Sequence, residues 1–179
     1  ENLVALSKKK GLNQFRVSGG EPTIGKPHLL DLLHYLQDHQ YKFILETNGI
    51  LLGADEDYAR DLAKFRDFIH VRVSLKGCNE QEFAVLTGSK QEGFQLQLKS
   101  LQNLVRAGVG CHPSVMSSFS PKNGLNALGK ILKEIDARLT QEIEIEELIL
   151  YPHVVKRLRK FNLKYNIAHK PDRVPPDQI

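Results

Sequence analysis

The stretch Phe15-Arg16-Val17-Ser18-Gly19-Gly20-Glu21-Pro22 decides how the rest of the sequence is interpreted. Its first part favours a short β-strand over residues 14–18, and the paired glycines that follow end the strand in a turn. Pro27 then occupies a position suited to the first turn of a helix. Leucines continue from there at roughly helical spacing, at Leu29, Leu30, Leu32, Leu33 and Leu36. The stretch therefore predicts a strand, a turn and a helix in succession.

The same succession repeats along the chain. Asn79 and Glu82 form a capping-box pattern before one helix, and Ser120 and Pro121 are expected as the N-cap and N1 residues of another. Strands that alternate with helices predict an α/β fold with a parallel sheet, and right-handed crossovers allow either an open doubly wound sheet or a curved partial barrel. Further strands are predicted at residues 42–46, 70–76, 109–116 and 142–150, and helices at residues 3–10, 57–65, 94–106, 125–139 and 154–160.

The composition indicates one soluble domain. The chain has 179 residues, 41% hydrophobic and 26% charged, which excludes a disordered, collagen-like or coiled-coil chain. No apolar run reaches the ~18 residues that a membrane span needs, and no signal peptide is visible. The spacing of Cys78 and Cys111 fits neither a metal knuckle nor a disulfide framework. We therefore expect reduced thiols and a cytoplasmic location.

The net charge of +4 comes mainly from Lys8-Lys9-Lys10 and from residues 156–170. Basic runs are usually solvated surface, so we favour that interpretation over a nucleic-acid interface. Residues 170–179 contain three prolines and no apolar period, which predicts a poorly ordered tail or an arm on a partner. The predicted organisation is a domain over residues 1–169 followed by this Pro-rich tail.

Polar residues follow the predicted strands at residues 18–22, 46–49, 74–77 and 151–153. Because the carboxyl ends of parallel strands lie at one rim, where α/β proteins bind ligands, we expect these four clusters to converge. Paired glycines let a ligand approach the backbone closely, and a tight turn without a ligand is the alternative interpretation. The glycine-rich dinucleotide and phosphate-loop motifs are absent from the sequence.

The motifs Ser18-Gly19-Gly20-Glu21-Pro22 and Leu45-Glu46-Thr47-Asn48-Gly49, separated by a leucine-rich helix, resemble those of the radical S-adenosylmethionine (SAM) enzymes. Ser74-Leu75-Lys76, followed by Leu86-Thr87-Gly88 and by a helix that ends at Arg106-Ala107-Gly108, is more narrowly similar to the activating enzymes of glycyl radical enzymes. The resemblance covers residues 1–153.

The resemblance implies a partial (βα)6 barrel that binds SAM at its mouth. In this family a 4Fe–4S cluster held by three cysteines donates an electron, and SAM is cleaved to methionine and a 5′-deoxyadenosyl radical that abstracts a hydrogen atom. An electron donor such as ferredoxin or flavodoxin is implied as a partner. A substrate is implied too, which the sequence does not identify and for which a protein is one candidate. We expect no nucleic-acid partner and no membrane association.

Carried over residue by residue, the resemblance places Ser18-Gly19-Gly20-Glu21 against the methionine ammonium of SAM, through the glycine backbone and Glu21. Thr47-Asn48 would lie along the cofactor at the next strand end. Ser74 and Lys76 would lie near its ribose and carboxylate, with Lys76 as the charge partner of the carboxylate. His153 resembles a histidine at the same place in the activating enzymes, and a surface histidine without a ligand is the alternative.

The sequence departs from the family pattern in two ways. The family's Asp-Leu-Lys is Ser74-Leu75-Lys76 here, which removes one carboxylate contact. The Cys-x-x-x-Cys-x-x-Cys loop that holds the cluster is missing, and neither Cys78 nor Cys111 replaces it. We therefore expect a fragment of about five βα units, with the first strand and the cluster ligands located before Glu1. Such a chain would be inactive by itself, and no catalytic residue or metal ligand is assigned in it.

Two other functions stay open at this point. One is a non-catalytic, degenerate barrel that acts as a binding or assembly module and holds its partner through residues 156–170 and the tail. The other is an α/β phosphate-binding enzyme that uses Gly19-Gly20 and Lys76.

Structural interpretations are favoured for two further patterns. Cys111-His112 is expected to be a packed core pair rather than a substrate contact. Period-two placement puts Ile143 and Ile145 on one face of a strand and glutamates on the other, which favours a solvated edge strand over a cation site.

Overall fold

Helices and strands alternate in the computed structural model, which describes residues 2–39 and 41–178. The strands are β1 Gln14–Val17, β2 Lys42–Thr47, β3 Ile69–Lys76, β4 Gly110–Met116, β5 Glu144–Glu146, β6 Leu148–Ile149 and β7 Ala168–His169. The α-helices are α1 Asn2–Lys10, α2 Lys26–Gln37, α3 Ile50–Ala54, α4 Glu56–Ala63, α5 Glu80–Thr87, α6 Glu92–Arg106, α7 Lys122–Ile135, α8 Arg138–Gln141 and α9 Pro152–Lys160. Short 3₁₀ turns span Pro22–Gly25 and Pro176–Gln178.

Five strands form one parallel sheet in the order β1-β2-β3-β4-β5. β1 and β2 pair from Gln14 opposite Lys42 to Val17 opposite Leu45, so that both strands end at nearly the same level. β6 and β7 form a separate two-stranded parallel sheet. The predicted α/β class with a parallel sheet is confirmed.

The chain divides into two compact units. Unit 1 comprises the residues up to Val73 together with Leu96–His112, and unit 2 comprises Ser74–Gln95 and the residues from Pro113 onward. β3 and β4 therefore each contribute residues to both units, and each unit has its own buried apolar residues.

The core of unit 1 is built from alternate residues of its strands. In β2, Phe43, Leu45 and Thr47 are buried while the residues between them are more exposed, as the period of two in a strand requires. Helices contribute residues spaced three to four apart, which is the spacing of one helix face. These helical core residues are Leu29, Leu33, Leu36, Tyr58, Ala59, Leu62, Leu98, Leu101 and Leu104.

The core of unit 2 contains the aromatic pair Phe83 and Phe94, whose ring centroids lie 6.5 Å apart. Helix α5, which carries Phe83, begins with the predicted capping box. Asn79 is its N-cap, and its Oδ1 accepts a hydrogen bond from the Glu82 backbone N–H at 2.9 Å. The Glu82 carboxylate accepts in return from the side-chain Nδ2 of Asn79 at 2.9 Å and from the Cys78 backbone N–H at 2.8 Å. The other buried apolar residues of this unit include Val115, Leu128, Leu132, Leu139 and Leu158.

The prediction that Ser120 is an N-cap is wrong. Pro121 is the N-cap of α7, and the Ser120 hydroxyl instead donates to the Glu82 carboxylate. The Glu82 carboxylate accepts the hydroxyl proton of Ser120, and this partner is 38 residues away in sequence, so no local pattern shows it. The same helix ends at Ile135, earlier than predicted, because Asp136 accepts from the Arg138 backbone N–H and forms a local turn.

The predicted strand at residues 142–150 is also wrong. It divides into β5 and β6, and β6 pairs with β7, which at two residues is too short for a periodic signal. The break falls at Glu147, whose backbone N–H donates to the Gln178 side chain. Helix α3 was missed because Gly49, with φ 77°, has the signature of a turn although a helix follows it directly.

The C-terminal segment, expected to be a poorly ordered tail, makes specific contacts within unit 2. The Gln178 Oε1 accepts from the Glu147 backbone N–H at 2.8 Å, and its Nε2 donates to the Ile145 carbonyl at 3.0 Å. One amide side chain therefore bonds the backbone on both sides of the break between β5 and β6. The predicted domain boundary at residue 170 stays a prediction.

Gly53 allows α3 and α6 to touch, because a Cβ at this position would lie 1.9 Å from the Leu96 carbonyl oxygen. Gly53→Ala should therefore lower the free energy of unfolding by about 1–3 kcal/mol, measured by urea denaturation. Gly129 in α7 is the matched control, because nothing lies within 4 Å of its added Cβ. Gly129→Ala should raise stability by about 0.5–1 kcal/mol, and equal effects of the two substitutions would contradict the packing argument.

Candidate functional site

The paired glycines after β1 form an open backbone turn. Gly19 and Gly20 have φ angles of 88° and 59°, which favour glycine over any residue with a Cβ. No described atom lies within 4 Å of a Cβ built on either one, and Ser18, Gly19 and Gly20 are all exposed. The turn can therefore bring its backbone into direct contact with a ligand.

Glu21 connects this turn to the end of β2. Its Oε1 accepts from the Thr23 backbone N–H at 3.1 Å, from the Thr23 hydroxyl at 2.6 Å and from the Thr47 hydroxyl at 2.7 Å. Its Oε2 accepts from the Asn48 backbone N–H at 2.7 Å. Four hydrogen bonds thus fix one carboxylate between two strand ends. The structure brings together Glu21, Thr47 and Asn48, as the sequence predicted for the ends of neighbouring strands.

The Thr47-Asn48-Gly49 turn is held from its other side as well. The Thr47 hydroxyl accepts from the Gly49 N–H at 3.0 Å, and Asn48 Oδ1 accepts from the Ile50 N–H at 2.9 Å. The buried Gln97 of α6 donates its amide to the Asn48 carbonyl at 2.7 Å. The turn is therefore rigid before any ligand binds.

A cluster of charges lies one residue before this turn, and the sequence analysis missed it. Glu46 lies between Arg16 and Arg72, with Arg72 Nη1 at 3.7 Å from Glu46 Oε1 and Arg16 hydrogen-bonded to the same oxygen. The Arg72 side chain is 8% exposed and that of Glu46 is 17% exposed. Side chains alternate between the two faces of a strand, so that Arg16, Glu46 and Arg72 lie on one face of three neighbouring strands. The charged residues at every second position of these strands were the sequence signal that could have predicted the cluster.

Tyr58 of α4 supports the 3₁₀ turn that follows Glu21. Its hydroxyl donates to the Thr23 carbonyl at 3.1 Å, and the Lys26 ammonium lies 4.5 Å from the centre of its ring. Burial, together with the negative charges of Glu21 and Asp61, raises the pKa of Tyr58 to about 12. The phenol therefore remains a neutral hydrogen-bond donor at physiological pH.

The remaining predicted site residues belong to unit 2. Lys76 at the end of β3 lies with its ammonium 3.4 Å from Glu146 Oε2, and both side chains are partly exposed. Ser74 is half-buried on the same strand. His153 is exposed in the first turn of α9, and its ring stacks on Tyr151 with the centroids 5.9 Å apart. Glu146 was not predicted as a partner of Lys76. The convergence of these residues with those of unit 1 stays a prediction.

The two cysteines are buried in different units, Cys78 in unit 2 and Cys111 in unit 1. Burial raises the pKa of the Cys78 thiol, a hydrogen bond with Ser120 opposes this, and the charge of Glu82 adds to the effect of burial. On β4, His112 follows Cys111 and stacks on His70, with a ring nitrogen of each 2.7 Å apart. Residues 2–39 and 41–178 contain no group of three or more His, Cys, Asp or Glu side chains that could hold a metal ion.

A family model described as the radical SAM superfamily matches residues 1–118, about two thirds of the chain. The chain therefore belongs to the radical SAM superfamily. Membership implies SAM and a 4Fe–4S cluster as cofactors of the family. The glycine turn, which has room for a ligand against its backbone, fits the first of these. The two isolated, buried cysteines do not fit the second.

Individual relatives agree with this assignment. A probable GTP 3′,8-cyclase of Methanococcus aeolicus is 34% identical over 110 residues, 60% of this chain and 34% of the cyclase. A pyruvate formate-lyase-activating enzyme of Clostridium pasteurianum is 25% identical over 152 residues, 84% of this chain and 59% of the relative. The chain thus spans less than two thirds of these curated relatives, and the predicted resemblance to the superfamily and to activating enzymes is confirmed.

Among solved structures, Streptococcus suis SuiB bound to S-adenosylmethionine matches with a TM-score of 0.62 at 16% identity. The match covers 94% of this chain and 39% of that one. At this identity the likeness concerns the fold. In the part of the chain that the structure describes, no helix is long and apolar enough to cross a membrane.

Replacing the Glu21 carboxylate should loosen the two strand ends that it joins. In Glu21→Gln an amide NH₂ must face either Thr23 or the Asn48 N–H, so a donor meets a donor. We expect a loss of about 1–3 kcal/mol in the free energy of unfolding, measured by urea denaturation. Glu134→Gln, an exposed change on α7, is the control and should stay within about 0.5 kcal/mol of the parent. Equal stability of the two variants would show that the network contributes nothing.

The raised pKa of Tyr58 predicts a pH dependence of stability. Unfolded tyrosine ionises near pH ~10, whereas Tyr58 in the folded state ionises at about 12. The stabilising contribution of the neutral phenol is therefore complete below pH ~10 and is lost as the pH rises toward 12. Urea unfolding across this pH range should show that the free energy of unfolding decreases less steeply with pH for Tyr58→Phe than for the parent chain. The exposed Tyr151→Phe should keep the parent's slope, and a parental slope in Tyr58→Phe would refute the assignment.

Proposed function

We propose that this chain is the SAM-binding portion of a radical SAM iron–sulfur enzyme. The observation that carries the proposal is the open Gly19-Gly20 turn, fixed by Glu21 to the Thr47-Asn48 strand end, in a chain of this superfamily. A turn that is rigid without its ligand loses little conformational entropy on binding.

Within unit 1, the methionine part of SAM binds at the glycine turn. The backbone carbonyls of Ser18, Gly19 and Gly20 are suited to accept from its ammonium group, because no side chain at the glycines blocks their approach. The negative charge of Glu21 beside the turn favours the same cation. Thr47 and Asn48 lie along the cofactor at the end of β2.

Within unit 2, Ser74, Lys76 and His153 are the proposed contacts. Lys76 pairs with the SAM carboxylate, and Glu146 holds its ammonium group in place at the strand end. Ser74 lies near the ribose, and it lacks the second carboxylate that the activating-enzyme pattern has at this position. His153, on the first turn of α9, is supported by its stacking on Tyr151.

The proposed reaction of the whole enzyme is reductive cleavage of SAM to a 5′-deoxyadenosyl radical that abstracts a hydrogen atom. The cluster needs a set of cysteine ligands that Cys78 and Cys111 do not supply, and a protein such as ferredoxin or flavodoxin supplies the electron. The similarity to a pyruvate formate-lyase-activating enzyme extends over 84% of the chain, which supports an activating-enzyme type with a protein substrate. Residues of this chain contribute binding and orientation.

A second candidate is a degenerate barrel that binds a partner without catalysis. The absence of a cysteine triad from the sequence favours it. Iron and sulfide analysis of the complete native polypeptide, reconstituted anaerobically, separates the two candidates. About four irons per chain and a spectrum that changes on addition of SAM support the enzyme, whereas a folded protein without iron supports the binding module.

Calorimetric titration of this chain with SAM tests the binding site directly. Gly20→Val should weaken binding at least ~10-fold, which corresponds to about 1.4 kcal/mol, because it fills the turn and strains the backbone. Gly88→Val is the matched control: Gly88 has φ 71° and open space around its Cβ, so it introduces similar strain away from the site residues.

Lys76→Ala should also weaken SAM binding while the fold survives, since the side chain is partly exposed at a strand end. Equal SAM affinity of Gly20→Val and Gly88→Val would remove the glycine turn from the site. Tighter binding of ATP than of SAM would support the phosphate-binding alternative instead.

A further inference from the structure

Unit 2 carries an open groove that the proposed SAM site does not use. The groove has a volume of about 420 Å³ and lies between α5 and the segment after α9; we call it the α5–α9 groove. Its lining contains the apolar side chains of Val85, Leu86, Phe119 and Leu163, with polar groups from Asn79, Gln81, Glu82, Asn162 and Lys164. A volume of this size accommodates a small ligand or the side chains of a peptide.

The walls of the groove are fixed by local structure. Asn162, with φ 49°, is in the left-handed conformation that ends α9, and the Leu163 N–H donates back to the Leu158 carbonyl at 2.9 Å. This turn places Leu163 and Lys164 on one side of the groove. Val85 on α5 forms part of the other side and is 61% exposed, which is unusual for a β-branched apolar residue in a helix.

The edge of the groove is strongly basic. Residues 151–173 contain seven Lys or Arg residues and one Asp. Within residues 2–39 and 41–178, no ion pair involves Lys156, Arg157, Arg159, Lys160 or Lys164. Lys160 lies 5.3 Å from the centre of the exposed Phe161 ring, directly before the residues that line the groove. Among the described residues, the helix therefore presents positive charge without an ion-pair partner beside exposed apolar surface.

We propose that the α5–α9 groove, together with Lys160 and Lys164, binds an acidic segment of a partner protein. One apolar side chain of that segment occupies the space between Val85 and Leu163, and its flanking carboxylates pair with the two lysines. Complementary charge accelerates the encounter and fixes the register, and burial of the apolar side chain supplies affinity.

The apolar lining favours a protein segment over a nucleic acid. A nucleic acid binds to basic groups and to flat aromatic faces, and it has no branched aliphatic side chain to place between Val85 and Leu163. One face of Phe161 is moreover covered by Lys160. The effect of a Val85 substitution on binding therefore distinguishes a protein segment from a nucleic acid as the partner.

The test uses this chain and a short fluorescent peptide with a central leucine between runs of Asp and Glu, followed by fluorescence anisotropy. We expect a dissociation constant on the order of 1–100 μM. Lys164→Glu and Val85→Ser should each weaken binding at least ~5-fold. Lys130→Glu changes the net charge of the chain by the same amount as Lys164→Glu, at an exposed lysine on α7, and should leave the affinity within ~2-fold of the parent. Replacement of the peptide's leucine by serine should remove the effect of Val85→Ser.

Three results would overturn the proposal: no binding of the peptide, equal binding of the leucine and serine peptides, or tighter binding of oligouridylate than of the acidic peptide. The last result would assign the surface to nucleic acid. The Gly20→Val variant should bind the peptide with the affinity of the parent chain. Peptide binding therefore tests the groove proposal, and SAM binding tests the SAM-site proposal, independently of each other.

Discussion

The Glu21 carboxylate is the interaction on which the candidate site depends. A carboxylate that leaves water must recover its hydration through hydrogen bonds, and Glu21 does so with four donors from Thr23, Thr47 and Asn48. Those donors come from segments more than twenty residues apart, so the charge of one side chain determines where two strand ends meet. The glycine turn before it can stay open because its position is set by this carboxylate rather than by packing.

Helix α6 supplies the second support, through a stripe of buried polar residues. Gln97 donates to the Asn48 carbonyl and Asn103 to the Leu52 carbonyl at 2.8 Å, and Ser100 lies against Gly49. The segment from Asn48 to Leu52 thereby obtains partners for carbonyls that would otherwise be buried and unsatisfied. A polar face on a core helix follows from this requirement, and the backbone at the site is held on two sides.

Local signals predicted most of the fold, and contacts distant in sequence account for the errors. Strands β1 to β4 and the capping box of α5 depend on alternation and capping residues, both of which are visible within a short window. The Ser120 hydroxyl donates to Glu82, 38 residues away, and the Glu147 backbone N–H donates to the Gln178 side chain at the break between β5 and β6. At the candidate site, the order of the motifs along the chain correctly predicted that Glu21 and Thr47 lie close together. The Glu46 partners and the Lys76–Glu146 pair were missed, since same-face pairing depends on a register that the sequence alone does not specify.

The candidate SAM site and the ligation of a cluster have separate physical requirements. The glycine turn depends on two left-handed glycines and a hydrogen-bonded carboxylate, all of which belong to unit 1. Cluster ligation depends on thiolates, and the two cysteines, Cys78 and Cys111, are isolated and buried in different units. The buried residues of both units are mainly aliphatic and aromatic. The open glycine turn and the hydrogen bonds of Glu21 are therefore formed by residues of unit 1 alone, and neither cysteine takes part in them.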